Sequence, residues 1–357
     1  MLRLGIIGTG AISSAFARAA AASGAYRLAG VASRSEDSGR RFLAALEEVR
    51  GLGASEARVH RSAAELCEEG AEVLYLASPN SLHARDALEA IERGADVIVE
   101  KPAFLDPAQW EAVHDAARRR GALVLEAARN LYEPGFAAVA EAVAARAARG
   151  ERPVAATLSY AQYSSRWDRV LEGEEPNIFS PAFGGGALVD LGVYALYAAL
   201  AWLGTPEDAV YVPHLAPTGV DAHGTAVLTY PWGTVTVLTG KDHAEPSGAR
   251  IHYAHGEVSC DGVQAITRAE DTARGKLFAA LAPAEEGLAG WMAFEARSFA
   301  RLLEARRDAG LDAAQRAEYE RVTELSHEVN RLATRLRHGA GIRFADEGPE
   351  DSGATPG

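Results

Sequence analysis

Lys101, Asp190 and Tyr194 are the residues of this 357-residue chain whose types and settings could do chemistry together. Lys101 follows the run Asp96-Val97-Ile98-Val99-Glu100, and Pro102 halts it, so a buried strand ends with a cation where the chain must turn. In open α/β sheets ligands lie beyond the carboxyl ends of parallel strands, so a lysine delivered there reaches a bound cofactor directly. Asp190 is the only charge in a helical run from Ala187 that is apolar nearly all round. Unpaired burial of a carboxylate is costly, so Asp190 is paired, capping or functional. Tyr194 lies four residues on and Tyr197 three further, which predicts all three on one helix face. The preceding Gly184, Gly185 and Gly186 would let a substrate approach that helix's N-terminal amides. A cation, a carboxylate and a phenol can together exchange a proton with a hydroxyl.

The elements that must position these groups begin with Leu4-Gly5-Ile6-Ile7 and Gly8-Thr9-Gly10-Ala11-Ile12-Ser13, read as strand, tight glycine turn and helix start. Gly8 permits the turn and Gly10 the approach of a pyrophosphate, while Ser13 takes the third, small-residue position. The helix N-terminus then offers free N–H groups to the phosphates. The second strand, 26–32, ends in Ser33-Arg34-Ser35, where a NAD site would carry an acidic residue and where Arg34 can receive a 2′-phosphate. NADP is thus preferred over NAD, with Glu36 nearby and a solvated Arg34 as the competing readings. Strands at 72–77, 96–100 and 123–127 alternate with helices at 81–93 and 107–121, the pattern of a parallel sheet. In Ser78-Pro79-Asn80-Ser81-Leu82-His83, Asn80 either caps the helix or contacts the cofactor, and His83 is either a ligand-facing donor or a structural histidine. Cofactor contacts are expected from Gly8, Gly10, Ala11, Ile12, Ser33, Arg34, Ser78, Asn80, His83, Glu100 and Lys101.

After a helix at 134–150 the periodicity changes to β-rich runs at 154–160, 210–213, 225–230 and 234–239, with Pro231-Trp232-Gly233 turning one run antiparallel to the next. The loop Gln162-Tyr163-Ser164-Ser165-Arg166-Trp167-Asp168, continuing to Asn177, is either a solvated connection or a sugar-binding loop in which Arg166, Trp167 and Asn177 contact substrate. Lys241-Asp242-His243, just after a strand, is a weaker ligand candidate and reads as surface charge in preference. The domains predicted are 1–127 for the nucleotide, 128–345 for substrate and oligomerisation, and 346–357 as a disordered tail. A net charge of −13, spread along the chain, argues against nucleic acid. Cys67 and Cys260 are too few for a disulfide framework or a Cys-rich zinc site, the ten histidines show no metal spacing, and no metal is assigned. The start of the chain has no signal-peptide pattern and the apolar run 187–203 is short for a bilayer, so no membrane and a cytoplasmic setting are expected.

The glycine turn, Ser78-Pro79-Asn80-Ser81-Leu82-His83 and Glu100-Lys101-Pro102, at these separations, resemble the Gfo/Idh/MocA oxidoreductase family. The resemblance implies an N-terminal Rossmann parallel sheet and a C-terminal α/β domain with a largely antiparallel open sheet, often the interface of dimers or tetramers. It also implies that Lys101 lies beside nicotinamide and substrate. The family's helix motif is Asp followed four residues later by His or, in a sugar dehydrogenase branch, by Tyr; Asp190 and Tyr194 match the tyrosine branch. Tyr197 departs from the Asp or Asn of many members, against an inositol-type substrate. The mechanism expected has Tyr194 exchanging the hydroxyl proton while Lys101 favours its phenolate and Asp190 orients Lys101 or a second hydroxyl. Lys101 as the proton donor is the close variant. The function expected is hydride transfer between NADP, or NAD, and the CH–OH or carbonyl carbon of a sugar or related diol by a homodimer or homotetramer. A nucleotide-binding regulator without turnover and a redox-neutral enzyme with tightly held NAD are the alternatives.

Overall fold

The computed structural model describes residues 1–279, 287–345 and 347. Its elements are β1 (Leu2–Ile7), α1 (Ala11–Ser23), β2 (Tyr26–Ala32), α2 (Glu36–Leu46), β3 (Arg58–His60), α3 (Ala63–Glu68), β4 (Val73–Leu76), α4 (His83–Glu92), β5 (Asp96–Glu100), α5 (Pro107–Arg120) and β6 (Val124–Ala127). There follow α6 (Pro134–Ala148), β7 (Pro153–Ala161), α7 (Trp167–Leu171), α8 (Val193–Leu203), β8 (Asp208–Leu215), β9 (Asp221–Tyr230), β10 (Gly233–Gly240), β11 (Gly248–Tyr253), β12 (Glu257–Cys260), β13 (Arg268–Asp271), β14 (Gly275–Ala279), α9 (Leu288–Asp308) and α10 (Ala313–Gly339).

The first six strands form a parallel sheet in the order β3-β2-β1-β4-β5-β6. Its central strands are buried along their length because helices cover both faces, which is why β4 and β5 read as continuous apolar runs. The strand order reverses between β1 and β4. A crevice for ligands therefore opens at their carboxyl ends, beside the Gly8 turn.

The second sheet has eight strands in the order β14-β13-β12-β11-β7-β10-β9-β8, antiparallel except for the β7–β10 pair. Tyr230 pairs with Gly233 across the Pro231-Trp232 turn, as the sequence predicts. One face packs on α6, α8 and part of α10. The apolar stretch Pro181–Leu203, long and apolar enough to cross a membrane, is mostly buried inside this layer.

Two helices absent from the sequence reading complete the fold. Although it follows the second sheet, α9 joins the core of the first: Met292, Ala296, Phe299 and Leu303 pack with Leu2, Leu4 and Phe16, and Tyr26 donates its hydroxyl to Ala296 O at 3.0 Å. α10, opened by a capping box between Asp312 and Gln315, reaches both halves. Asn330 and Arg337 donate to Phe104 O and Leu105 O, just beyond Lys101, while Val329, Leu332 and Leu336 enter the second core. The tail expected to be disordered lies outside the described residues except for Glu347, whose carboxylate pairs with Arg337 and His338.

Candidate active site

The glycine turn forms one wall of a cleft of about 1080 Å³. Gly8 has φ +103°, and a Cβ there would meet Ala77 O at 2.4 Å, so the turn admits no side chain. Gly10 differs: its φ is −82°, a Cβ would meet nothing within 4 Å, and it starts α1 with no side-chain cap. An open approach and free first-turn N–H groups suit a pyrophosphate. Ala11 is exposed at the first helical position and Ile12 is half-buried beside it, while Ser13 is buried where helix and strand meet.

At the far end of the cleft stand Ser33, Arg34, Ser35 and Ser38, joined by Arg61 from the loop after β3, which the sequence reading missed. Neither the Arg34 nor the Arg61 guanidinium has a carboxylate partner among the described residues. Glu36, the residue that could have favoured NAD, is paired with Arg40 at 2.5 Å along α2. The residues present therefore fit a dinucleotide with a phosphate at its ribose end.

Three expected cofactor contacts are placed elsewhere. His83 is fully buried, with Nδ1 3.1 Å from Pro102 O and Nε2 2.9 Å from Ser78 O. Burial pushes its imidazole down from the usual range, and the ring braces two turns instead of facing a ligand. Asn80 neither caps the helix nor lines the cleft; its amide donates to Gly184 O at 2.9 Å and ties the two halves together. Glu100 is buried behind Lys101, accepting from the Tyr75 hydroxyl at 2.5 Å and from the Lys101 N–H at 3.2 Å. Burial pushes its carboxyl up. Ser78 does line the cleft, with its hydroxyl donating to Asp86 at 2.8 Å.

Lys101 leaves the end of β5 through a cis peptide to Pro102 and meets the helix that carries Asp190. Its Nζ donates to Asp190 O at 2.6 Å and Oδ1 at 3.0 Å, and lies 4.9 Å from the Tyr194 ring centroid. The Arg129 guanidinium is 5.4 Å from that centroid, and the Tyr160 ring meets the Tyr194 ring edge-on at 5.8 Å. Arg129 itself is held by Glu133 at 2.8 Å. Burial would lower the Lys101 ammonium, but Tyr194, Asp190 and Glu100 outweigh it and hold it well above the ordinary lysine range.

The helix here is not uniform. Leu188–Gly192 is wound as a π-helix before α8 begins. Its wider turn changes the angular step, so Asp190 and Tyr194 meet Lys101 while Tyr197 turns into the core toward Glu126 and Ser326, off the shared face expected for it. The three glycines before it are also not a substrate approach. A Cβ at Gly184 or Gly185 would strike Leu105 or Ile178, and Gly186, at φ +130°, packs on Asp221, whose carboxylate already takes the Leu188 N–H at 2.7 Å.

The larger surprise is Lys241, read from sequence as surface charge. It is 2% exposed, and its ammonium lies 2.7 Å from Asp190 Oδ2. Asp190, its side chain 32% exposed, thus sits between two lysines. Burial pushes its carboxyl up, but Lys241 and Lys101 more than reverse this and hold it well below the usual range. Of the loop residues expected at substrate, Asn177 lines the cleft opposite the glycine turn, Trp167 packs against Phe179 at 5.3 Å, and Arg166 stays exposed.

Residues 2–128 match the family model for an oxidoreductase family with an NAD-binding Rossmann fold, and residues 147–259 match the GFO/IDH/MocA C-terminal domain. The uncharacterized oxidoreductase YgjR of Escherichia coli is 33% identical over 68% of this chain and 70% of its own. The NADP⁺ scyllo-inositol 2-dehydrogenase IolU of Bacillus subtilis is 30% identical over 76% and 79%. A 3-ketoreductase from Actinomadura kijaniata, solved with NADP and TDP-benzene, shares the fold at a TM-score of 0.73, with 24% identity over 95% of this chain and 97% of its own.

Proposed function

We propose that this chain, which belongs to the Gfo/Idh/MocA oxidoreductase family, acts on a sugar or related diol with NADP preferred over NAD. It is an NAD(P)-dependent oxidoreductase, and scyllo-inositol, a cyclic polyol, is named for its NADP-using relative from B. subtilis. The observation that carries the reading is the meeting of Lys101, Asp190 and Tyr194 where β5 ends.

When bound, the nicotinamide accepts or supplies the hydride. Tyr194 exchanges the hydroxyl proton. Lys101, held cationic by its neighbours, is a fixed positive charge for the reacting oxygen in preference to a proton donor. Asp190 accepts from Lys101 through both its carboxylate and its main-chain oxygen, which fixes where that charge sits. Asn177, Trp167 and Arg166 remain the proposed substrate contacts; Asn177 lines the cleft, Trp167 is half-buried against Phe179 and Arg166 is exposed.

The test is NADPH and NADH formation across aldoses, polyols and cyclic diols. Turnover with NADP on one of them is expected, lost in Lys101→Met and lowered about 10²–10⁴-fold in Tyr194→Phe. Full turnover and an unchanged pH profile in Tyr194→Phe would remove the tyrosine from the mechanism. The exposed Val210 and Val212 of β8, with Leu215, support a homodimer or homotetramer; light scattering at a monomer mass would refute that.

A further inference from the structure

Lys241 follows the last residue of β10, and the main chain sets its place. Its N–H donates to Ala222 O at 2.8 Å, and its carbonyl accepts from Ser164 N at 2.8 Å. The side chain enters the helix layer, where the ammonium donates to Ile178 O at 2.9 Å, meets Asp190 Oδ2 at 2.7 Å and lies 4.5 Å from the Phe179 ring centroid. A buried ammonium is costly unless its hydrogens find partners, and here a carbonyl, a carboxylate and an aromatic face receive them. The carboxylate is the one that holds Lys101.

We infer that Lys241 is a positioning residue of the reaction centre: it takes one oxygen of Asp190 so that the other oxygen fixes the Lys101 ammonium. This rests on the function proposed above. With Oδ2 held at 2.7 Å and Oδ1 at 3.0 Å from their lysines, rotation of the carboxylate breaks both contacts. Two ammonium groups share one carboxylate, so the trio keeps a net positive charge beside Tyr194. A lone Lys101–Asp190 pair would be neutral. The other groups facing Asp190 and Tyr194 are Arg129 before α6, Tyr160 on β7 and Glu100 on β5, and of these Arg129 alone adds positive charge. Asp190 stays ionised because Lys241, with Lys101 second, overcomes its burial. Without Lys241 that carboxyl rises toward its ordinary range, and one oxygen swings free.

The experiment compares Lys241→Met, Lys241→Arg, Asp190→Asn and the Lys241→Met/Asp190→Asn double variant. Lys241→Met should lower kcat at least tenfold, leave the KM for NADP within about twofold, and move the acid limb of kcat to higher pH as Asp190 protonates. Lys241→Arg, which keeps the charge, should recover to within about threefold of the parent. The double variant should be no worse than Asp190→Asn alone, because Lys241 acts through Asp190. A Lys241→Met enzyme with parental kcat and pH profile, or losses that multiply in the double variant, would overturn the inference. Melting of the cofactor-free proteins gives a readout independent of turnover. The deficit of Lys241→Met should be full from neutral pH down to about pH 5, where Asp190 is ionised without its partner, and shrink as pH falls below about 4; in the Asp190→Asn background that dependence should vanish. If it is seen while the parent turns over no sugar, the function reading falls and the Lys241–Asp190 link stands. Sugar turnover with no such coupling defeats the link alone.

Discussion

Arg34 and Arg61 approach one end of the cleft from the loops after β2 and β3, neighbouring parallel strands that finish side by side. Two guanidinium groups without a carboxylate between them suit a dianionic phosphate and gain little from an uncharged ribose. Replacing either with Ala should raise the KM for NADP about 10- to 100-fold, the loss expected for a charged hydrogen bond, and change that for NAD less than about twofold. Steady-state kinetics with both cofactors checks this; equal losses would show the pair is not a phosphate clamp. Single residues were legible in the sequence where a short string carried them. Lys101 lay in Glu-Lys-Pro, Asp190 was the one charge in an apolar helix, and Tyr194 stood four residues on. Lys241 and Arg61 were not legible, because nothing local separates a lysine that enters a core from one that faces water. Their positions depend on what packs above the strand end. His83 was open in sequence between a ligand-facing donor and a structural histidine; it is the second, and the two carbonyls that claim it come from turns only the folded chain brings together.

The turn between β1 and α1 separates two uses of glycine that look alike in sequence. Gly8 needs its positive φ and has Ala77 O 2.4 Å from where a Cβ would sit, and a backbone oxygen cannot step aside cheaply. Gly10 has an ordinary φ and open space. Gly8→Ala should therefore destabilise the cofactor-free protein by about 1–3 kcal/mol. Gly10→Ala should cost the free protein under about 1 kcal/mol, the difference between Gly and Ala at a helix N-cap, yet weaken NADP strongly by filling the approach. Melting curves with and without NADP distinguish them: a loss of the NADP-induced shift in Gly10→Ala, with the free Tm lowered by no more than about 4 °C, is the expected outcome, and an undiminished shift would refute the approach. At this scale the parallel sheet was legible because its strands are buried on both faces and read as unbroken apolar runs. The π-wound turn at Leu188–Gly192 was not, since winding leaves no mark in hydrophobic period over five residues. It decided which of two tyrosines faces Lys101.

Across the molecule, α10 fastens the turn that follows Lys101 to the second core, and a stack of rings lies in the joint. Trp110 on α5 sits between His114, at 3.6 Å, and His327 of α10, at 4.1 Å, and its indole N–H donates to Ser326 at 3.3 Å. None of this was legible, because α5 and α10 are two hundred residues apart in sequence and each helix alone shows only an amphipathic pattern. His114 is buried, its Nδ1 2.9 Å from Trp110 O, and burial pushes its imidazole down to about 4. His83, braced between Ser78 and Pro102, is lowered for the same reason. An unfolded chain takes up protons on these histidines near pH 6.5, whereas the folded one does not, so protons favour unfolding across that interval. The stability His114 protects is full above about pH 6.5 and drains as pH falls toward 4. For His114 alone the drop from 6.5 to about 4 corresponds to roughly 3–4 kcal/mol, at about 1.4 kcal/mol per unit, and His83 adds in the same direction. Urea unfolding at pH 7, 6 and 5 should show stability falling at each step. His114→Gln, which cannot take up the proton, should start lower at pH 7 through lost stacking and fall less steeply. Equal slopes in the two proteins would mean that His114 titrates freely in the folded chain and that the ring stack does not hold it neutral.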